Sequence, residues 1–201
     1  LLVTHSHADH FDPVNLIMRG RAFQLTTDLA ELNVVAGPSV WMKWDQYGGS
    51  DRSAEIRRMP ILPGRSVQIP GYAVHAIEAT HHLRIGDAMN YIIDDGERVL
   101  LYASDSGLYA ERVWDQLQGC TFDAVVLEGT IWNRDPGSEH LNEGDFERML
   151  GRLGQIGAVT DRTAVIATHF SHQSVGPHEE LAEQVRRYGA QCAYDGFTIE
   201  I

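Results

Sequence analysis

The chain is poor in cysteine, in positive charge and in long apolar runs. Its two cysteines, Cys120 and Cys192, stand far apart and form no metal-binding pair. That scarcity excludes a disulfide framework and fits a reducing cytoplasm, the expected location. Lysine and arginine number 16 against 28 aspartates and glutamates, a formal net charge of -12. Nucleic-acid binders draw affinity from neutralising phosphates and present a basic face, so this balance argues against a polynucleotide partner. A small anion in a metal-lined pocket stays compatible, because divalent cations reverse the local field. No stretch approaches the length that crosses a bilayer and none reads as a signal peptide, so no membrane partner is expected. Internal repeats, low-complexity tracts and Pro/Gly/Ser linkers are missing too. A single domain over residues 1–201 is the expectation.

What is there reads as strands separated by helices. β-rich runs are predicted at 1–4, 33–36, 66–69, 72–79, 91–94, 98–103, 124–127, 163–168 and 197–201. Val125-Val126-Leu127 and Ala164-Val165-Ile166-Ala167 are continuous, as in strands covered on both faces. Asp12 followed by Pro13 marks one helix start. Phe146, Met149, Leu150 and Leu153 make a helical stripe behind the cap Asn142. A third helix is predicted from Pro177 to Tyr188, stopped by Gly189. Sheets covered by helices follow, an α/β or α+β sandwich.

The chemistry is concentrated in the first ten residues. In His5-x-His7-x-Asp9-His10, two imidazoles at i, i+2 after a strand can point the same way. Asp9 and His10 follow on the turn into the next helix. One metal cannot easily take all four groups from so short a segment, so two adjacent metals are the natural reading, each needing ligands from elsewhere. "EATHHLR" offers His81 and His82, "LLYASDSG" offers Asp105, and "VIATHFSH" offers His169, each at the end of a strand that can hold it rigid.

This set, in this order, resembles the metallo-β-lactamase superfamily and so implies its αββα sandwich. The resemblance spans essentially the whole chain. It implies that His5, His7 and His81 bind one divalent metal, that Asp9, His10 and His169 bind a second, and that Asp105 bridges them. The family's strand ends in A-x-H, matching Ala79-Thr80-His81, which favours His81 over His82. The family sandwich normally begins with strands ahead of the first motif, so N-terminal strands are expected to be missing here.

Glyoxalase II-like and classical β-lactamase members place the third histidine in a "GHTxG"-type turn, and none exists here. "LEGTIW" followed by "SEHLN" looks like the phosphodiesterase branch, in which an E-x-T stretch precedes a loop histidine. That branch includes ribonuclease Z and the phosphoribosyl cyclic phosphodiesterases of the carbon–phosphorus lyase pathway, and the tail "ATHFSHQ…AYDGFTIEI" looks closest to the latter. His140 then matches the histidine that assists phosphoester cleavage. Long-arm ribonuclease Z proteins carry a basic insertion between the third histidine and the bridging aspartate. Only a strand pair fits between His81 and Asp105, and with the acidic charge this lowers the tRNA reading.

Other residues have blander readings. His75 and His178 are taken as structural, and His172 as at most a pocket residue. Trp41, Met42, Trp44 and Tyr47 could wall a substrate or meet a second copy, although such aromatics usually pack a core. Glu128-Gly129-Thr130 and Asp195 are candidates for orienting a ligand histidine. The function expected is a dinuclear Zn2+ or Mn2+ hydrolase acting on a small anionic phosphodiester, such as a cyclic phosphate, through hydroxide generated between the metals. Asp9 and His140 are its expected catalytic residues, and a homodimer is a candidate assembly. The alternatives are a carbonyl substrate (lactone, thioester or β-lactam), a tRNA-processing nuclease, and a binding protein with a structural metal.

Overall fold

The structure, a computed structural model, describes residues 1–20 and 30–201. Two sheets form among them. The smaller pairs β1 (Leu32–Ala36) in parallel with β2 (Ile56–Pro60). The larger has seven strands in sequence order: β3 (Ser66–Ile69), β4 (Tyr72–Glu78), β5 (Met89–Asp94), β6 (Val99–Ala103), β7 (Ala124–Glu128), β8 (Ala164–Thr168) and β9 (Gln191–Cys192). β3 to β6 pair antiparallel, and β6 to β9 pair parallel. Two successive antiparallel pairings restore chain direction, so β4, β6, β7 and β8 all end on the same edge of the sheet.

Six helices cover these sheets among the described residues: α1 (Pro13–Met18), α2 (Pro38–Gln46), α3 (Asp51–Ala54), α4 (Glu111–Leu117), α5 (Glu143–Gln155) and α6 (His178–Arg186). The three apolar clusters show how they stack. Val34 and Ala36 of β1 pack with Val3, Phe11, Trp41 and Trp44 under α1 to α3. Their neighbour Val35 points the other way, against Val74, Ala76, Met89 and Tyr91 of the large sheet. The far face of that sheet, with Leu101 and Leu127, meets Leu117, Phe146, Met149 and Leu153 of α4 and α5. Helices, small sheet, large sheet and helices follow one another, which is the αββα sandwich.

Local signals behave as their chemistry requires. Asp12 caps α1 by accepting from Val14 N at 3.0 Å, and Asn142 caps α5 by accepting from Asp145 N at 2.8 Å. α6 begins at His178 and ends at Arg186, two residues short of the predicted Tyr188, before Gly189 at φ +71.

Two predicted strands fail. Residues 1–4 run beside β1 with a single parallel bridge, Leu2 to Val35, because the chain turns away at once into the histidine segment. Residues 197–201 form no strand; a turn closed by Phe197 N to Tyr194 O precedes them, and the short β9 takes the sheet edge instead. Trp41 and Trp44 are core residues, whereas Met42 on α2 and Tyr47 just past its end are exposed.

Candidate metal centre

Each ligand candidate rides on one edge of the sandwich. The β4 strand ends at Glu78 and delivers His81, β6 delivers Asp105 and β8 delivers His169, while His5 to His10 arrive on the turn that follows residues 1–4. Ligands in open α/β sheets collect at the carboxyl ends of strands, as here. Asp105 and His169 adopt left-handed backbone conformations, at φ 46 and 57, and so does His82 at φ 52. Three strained residues at three strand ends on one edge mark a place where the surrounding structure imposes side-chain direction.

His5, His7 and His81 form a first group. His5 Nε2 lies 2.9 Å from His7 Nδ1, and His81 Nε2 lies 3.1 Å from that same atom. The outer nitrogens are tied back: His5 Nδ1 to Thr4 Oγ1 at 3.0 Å, and His81 Nδ1 to the Glu139 carbonyl at 3.1 Å. A carbonyl only accepts, so Nδ1 of His81 carries its proton and Nε2 turns a lone pair inward. Ring nitrogens thus converge where a cation would reconcile them.

Asp9, His10, Asp105 and His169 form a second group. Asp105 Oδ1 is 3.1 Å from His169 Nε2, and its Oδ2 is 3.2 Å from His10 Nε2. The same Oδ2 is 3.6 Å from His81 Nε2 and 3.8 Å from His5 Nε2, which puts the Asp105 carboxylate between the two groups. His10 Nε2 is buried and, despite that approach to Asp105, has no well-aligned hydrogen-bond partner among the described residues. Asp9 is the outermost member at 67% exposure. His169 is held from behind by Thr130 Oγ1 at 2.8 Å.

Electrostatics favour the protonation states that a cation needs at His5, His7, His81 and Asp105. At His10, by contrast, burial is outweighed by the Asp105 carboxylate, which raises the pKa. Burial, reinforced by His10 and His81, pushes His5 down to about 2. Burial likewise lowers His7 and His81. For Asp105 burial acts upward, but His10, His169 and His5 together hold the carboxyl well below its usual range. Neutral imidazoles around an ionised carboxylate are what a divalent cation binds. The donor set, all imidazole and carboxylate, fits such a cation.

His140 enters from the loop before α5. Its Nδ1 lies 2.7 Å from Oε1 of the fully buried Glu128, its ring is 4.7 Å from that of His81, and it can share a cation-sized group with His81 and Asp105. The Glu128 charge raises its pKa against the opposing effect of burial. The corner foreseen in the sequence therefore serves two histidines, Glu128 holding His140 and Thr130 holding His169. Glycine is required between them, because a Cβ on Gly129 would come within 2.4 Å of the Phe170 ring.

Every predicted site residue reaches this edge: His5, His7, Asp9, His10, His81, Asp105, His140 and His169. His82 lies beside the cluster, with its ring 4.1 Å from that of His7, but belongs to none of its groups. His172 and Asp195 are exposed, and His75 sits apart with Ser66 at 2.9 Å. Thr4, Ser104 and the Glu139 carbonyl, the last two respectively 3.0 Å from Asp105 Oδ1 and 3.1 Å from His81 Nδ1, have no signal in the sequence beyond adjacency to a ligand.

The sandwich and the histidine-rich edge define a protein of the metallo-β-lactamase fold, which implies divalent-metal binding. The Beta-lactamase superfamily domain matches residues 1–190, and the chain belongs to that family. Among solved structures it is similar to the metallo-beta-lactamase fold protein YhfI from Bacillus subtilis, at 15% identity and a TM-score of 0.73, over 99% of this chain and 76% of that one. It is similar to a diphosphatase from the PhnP family, at 20% identity and a TM-score of 0.71, over 100% and 70% of the two chains. Zn(2+)-bound PqqB from Methylobacterium extorquens shares 14% identity at a TM-score of 0.68, over 100% and 72%. At such identities the likeness is one of fold. No curated protein matches the sequence significantly.

Proposed function

We propose that the protein is a dinuclear metal-dependent hydrolase of a small phosphodiester. One observation carries the reading: the Asp105 carboxylate lies between two clusters of candidate ligands, with His140 beside it on a buried glutamate. His5, His7 and His81 would hold one cation, Asp9, His10 and His169 the other, with Asp105 shared. Zinc and manganese both suit these ligands. Bound cations there would supply a water acidified toward neutral pH and neutralisation of phosphoryl charge.

The chain's own groups do the rest. Asp9, exposed at the mouth of the site, accepts the proton of the attacking water. His140, whose protonated form the contact with Glu128 favours, would protonate the leaving alkoxide or stabilise the phosphoryl oxygens. An open cleft of roughly 490 Å³ beside His169, lined by Phe170, Val175, His178, Tyr194 and Asp195 among others, takes the non-reacting part of the ester. The PhnP-family diphosphatase among its structural neighbours supports phosphoester chemistry. The net charge of -12 supports a small anion over a polynucleotide. Two free cysteines are in keeping with a reducing, cytoplasmic location, and no helix among the described residues is long and apolar enough to cross a membrane.

The test is hydrolysis of bis(p-nitrophenyl) phosphate by chelator-stripped protein refilled with zinc or manganese. Metal-dependent turnover that collapses in Asp105→Ala and falls steeply in His140→Ala is expected. Two bound metals without diester turnover would overturn the phosphodiesterase reading and favour a carbonyl substrate, for which His140→Ala should barely matter.

A further inference from the structure

Lys43 has no part in the function above, yet it reaches into the backbone that carries half the ligands. It sits half-buried on the last turn of α2. A lysine there could serve its own helix by meeting the last carbonyls. Instead its Nζ leaves the helix and donates to Ser6 O at 2.8 Å and to Phe11 O at 2.7 Å, with the Phe11 ring 6.0 Å away. Between those two carbonyls lie His7, Asp9 and His10. Inside the turn, His10 N and Phe11 N both bond to His7 O, at 3.2 and 2.8 Å.

We propose that Lys43 is a positioning residue, a clamp that draws the two ends of the 6–11 turn onto one ammonium and so sets the offset between His5 and His7 on one side and Asp9 and His10 on the other. The chemistry suits an ammonium, which has three donors, no acceptor, and hydrogen bonds strengthened by its charge. The clamp is anchored, because α2 is fixed by the buried Trp41 and Trp44 and by Asp87, which accepts from Ser39 N at 2.6 Å and Ser39 Oγ at 2.7 Å. The inference rests on the metal-binding reading of the cluster and not on the phosphodiester.

A positive charge behind the turn also repels cations, so the sign of the effect discriminates. If positioning dominates, removing Lys43 weakens metal binding; if repulsion dominates, removal tightens it. The experiment compares wild type, Lys43→Met and Lys43→Arg. Zn2+ affinities of the stripped proteins are measured by chelator competition, and amide hydrogen exchange at His10 and Phe11 is measured in the metal-free state. Lys43→Met is expected to lose about 10–100-fold in affinity, the usual cost of losing a group that orients ligands. Its His10 and Phe11 amides should exchange faster, and Lys43→Arg, which can still donate to both carbonyls, should recover most of both. A folded Lys43→Met protein with wild-type exchange, or with equal or tighter zinc binding, overturns the proposal. If Lys43→Met does not fold, Lys43→Gln, one atom shorter and without the charge that strengthens both bonds, is judged by the same two readouts. Wild-type protein that binds no zinc would sink the metal reading instead, while the exchange comparison would still judge the clamp.

Discussion

Glu128 Oε1 lies 2.7 Å from Nδ1 of His140 and 3.0 Å from Ser106 N, while Oε2 accepts from Thr130 N at 2.8 Å and Leu141 N at 3.2 Å. One buried carboxylate thus pins the loop after β6, the corner after β7 and the loop bearing His140. An amide has a single acceptor oxygen, so Glu128→Gln must turn its NH2 toward donors at one of the two positions. That leaves buried groups unpaired, at about 1–3 kcal/mol. Diester turnover should fall about 10–100-fold as His140 loses its orientation. Thermal unfolding and steady-state kinetics check both numbers, and unchanged values in both would remove Glu128 as the anchor.

The adjacent histidines of the "THH" stretch should separate cleanly by metal content. His81 turns Nε2 into the cluster because the Glu139 carbonyl holds its other nitrogen. His82, at positive φ, lies alongside the His7 ring instead. Elemental analysis of purified His81→Ala should find one metal equivalent lost relative to wild type. His82→Ala should keep the wild-type count, and the opposite pattern would reverse the assignment.

Removing metal should cost stability in proportion to how tightly it binds. The folded cluster gathers imidazoles and carboxylates within ligand distance of one another, which an unfolded chain does not. A cation that binds only the folded state adds about 2.7 kcal/mol at a concentration of 100 times its Kd. The melting temperature should therefore drop with excess chelator and rise again with added Zn2+, in a concentration-dependent way. A melting curve indifferent to both would argue that the cluster holds no metal.

The sequence made the ligand set legible because its residues are both rare in combination and placed at strand ends. His5, His7, Asp9 and His10 stand within six positions, and apolar runs lead directly to Asp105 and His169. It was silent on α2, α3, α4 and β2, whose short segments alternate too briefly to show a period. The strand predicted at 197–201 shows the limit of β-propensity, since Phe197, Thr198 and Ile199 have the composition of a strand while the sheet edge goes to Gln191 and Cys192. Lys43 was invisible for a different reason: its partners are set by tertiary approach, 37 residues away in the case of Ser6 O.

Asp87 and Gly37 offer the sharpest test of packing near the site. Gly37 stands at the N-cap of α2 and has no side chain to cap it, so the Asp87 carboxylate does that work from 48 residues away, through Ser39 N and Ser39 Oγ. Asp87→Ala should therefore cost about 1–2 kcal/mol, the usual price of a lost cap. Gly37→Ala should destabilise independently, because its new Cβ would stand 2.8 Å from Asp87 Oδ2 and 3.0 Å from Met89 Cε. Removing the carboxylate relieves the first of these contacts. The double variant should then lose less than the two single losses combined, with a coupling of about 0.5–3 kcal/mol, as contacting residues show. Chemical denaturation of the four proteins measures this cycle. Strict additivity would mean that the close approach of Gly37 to Asp87 is not what demands glycine there.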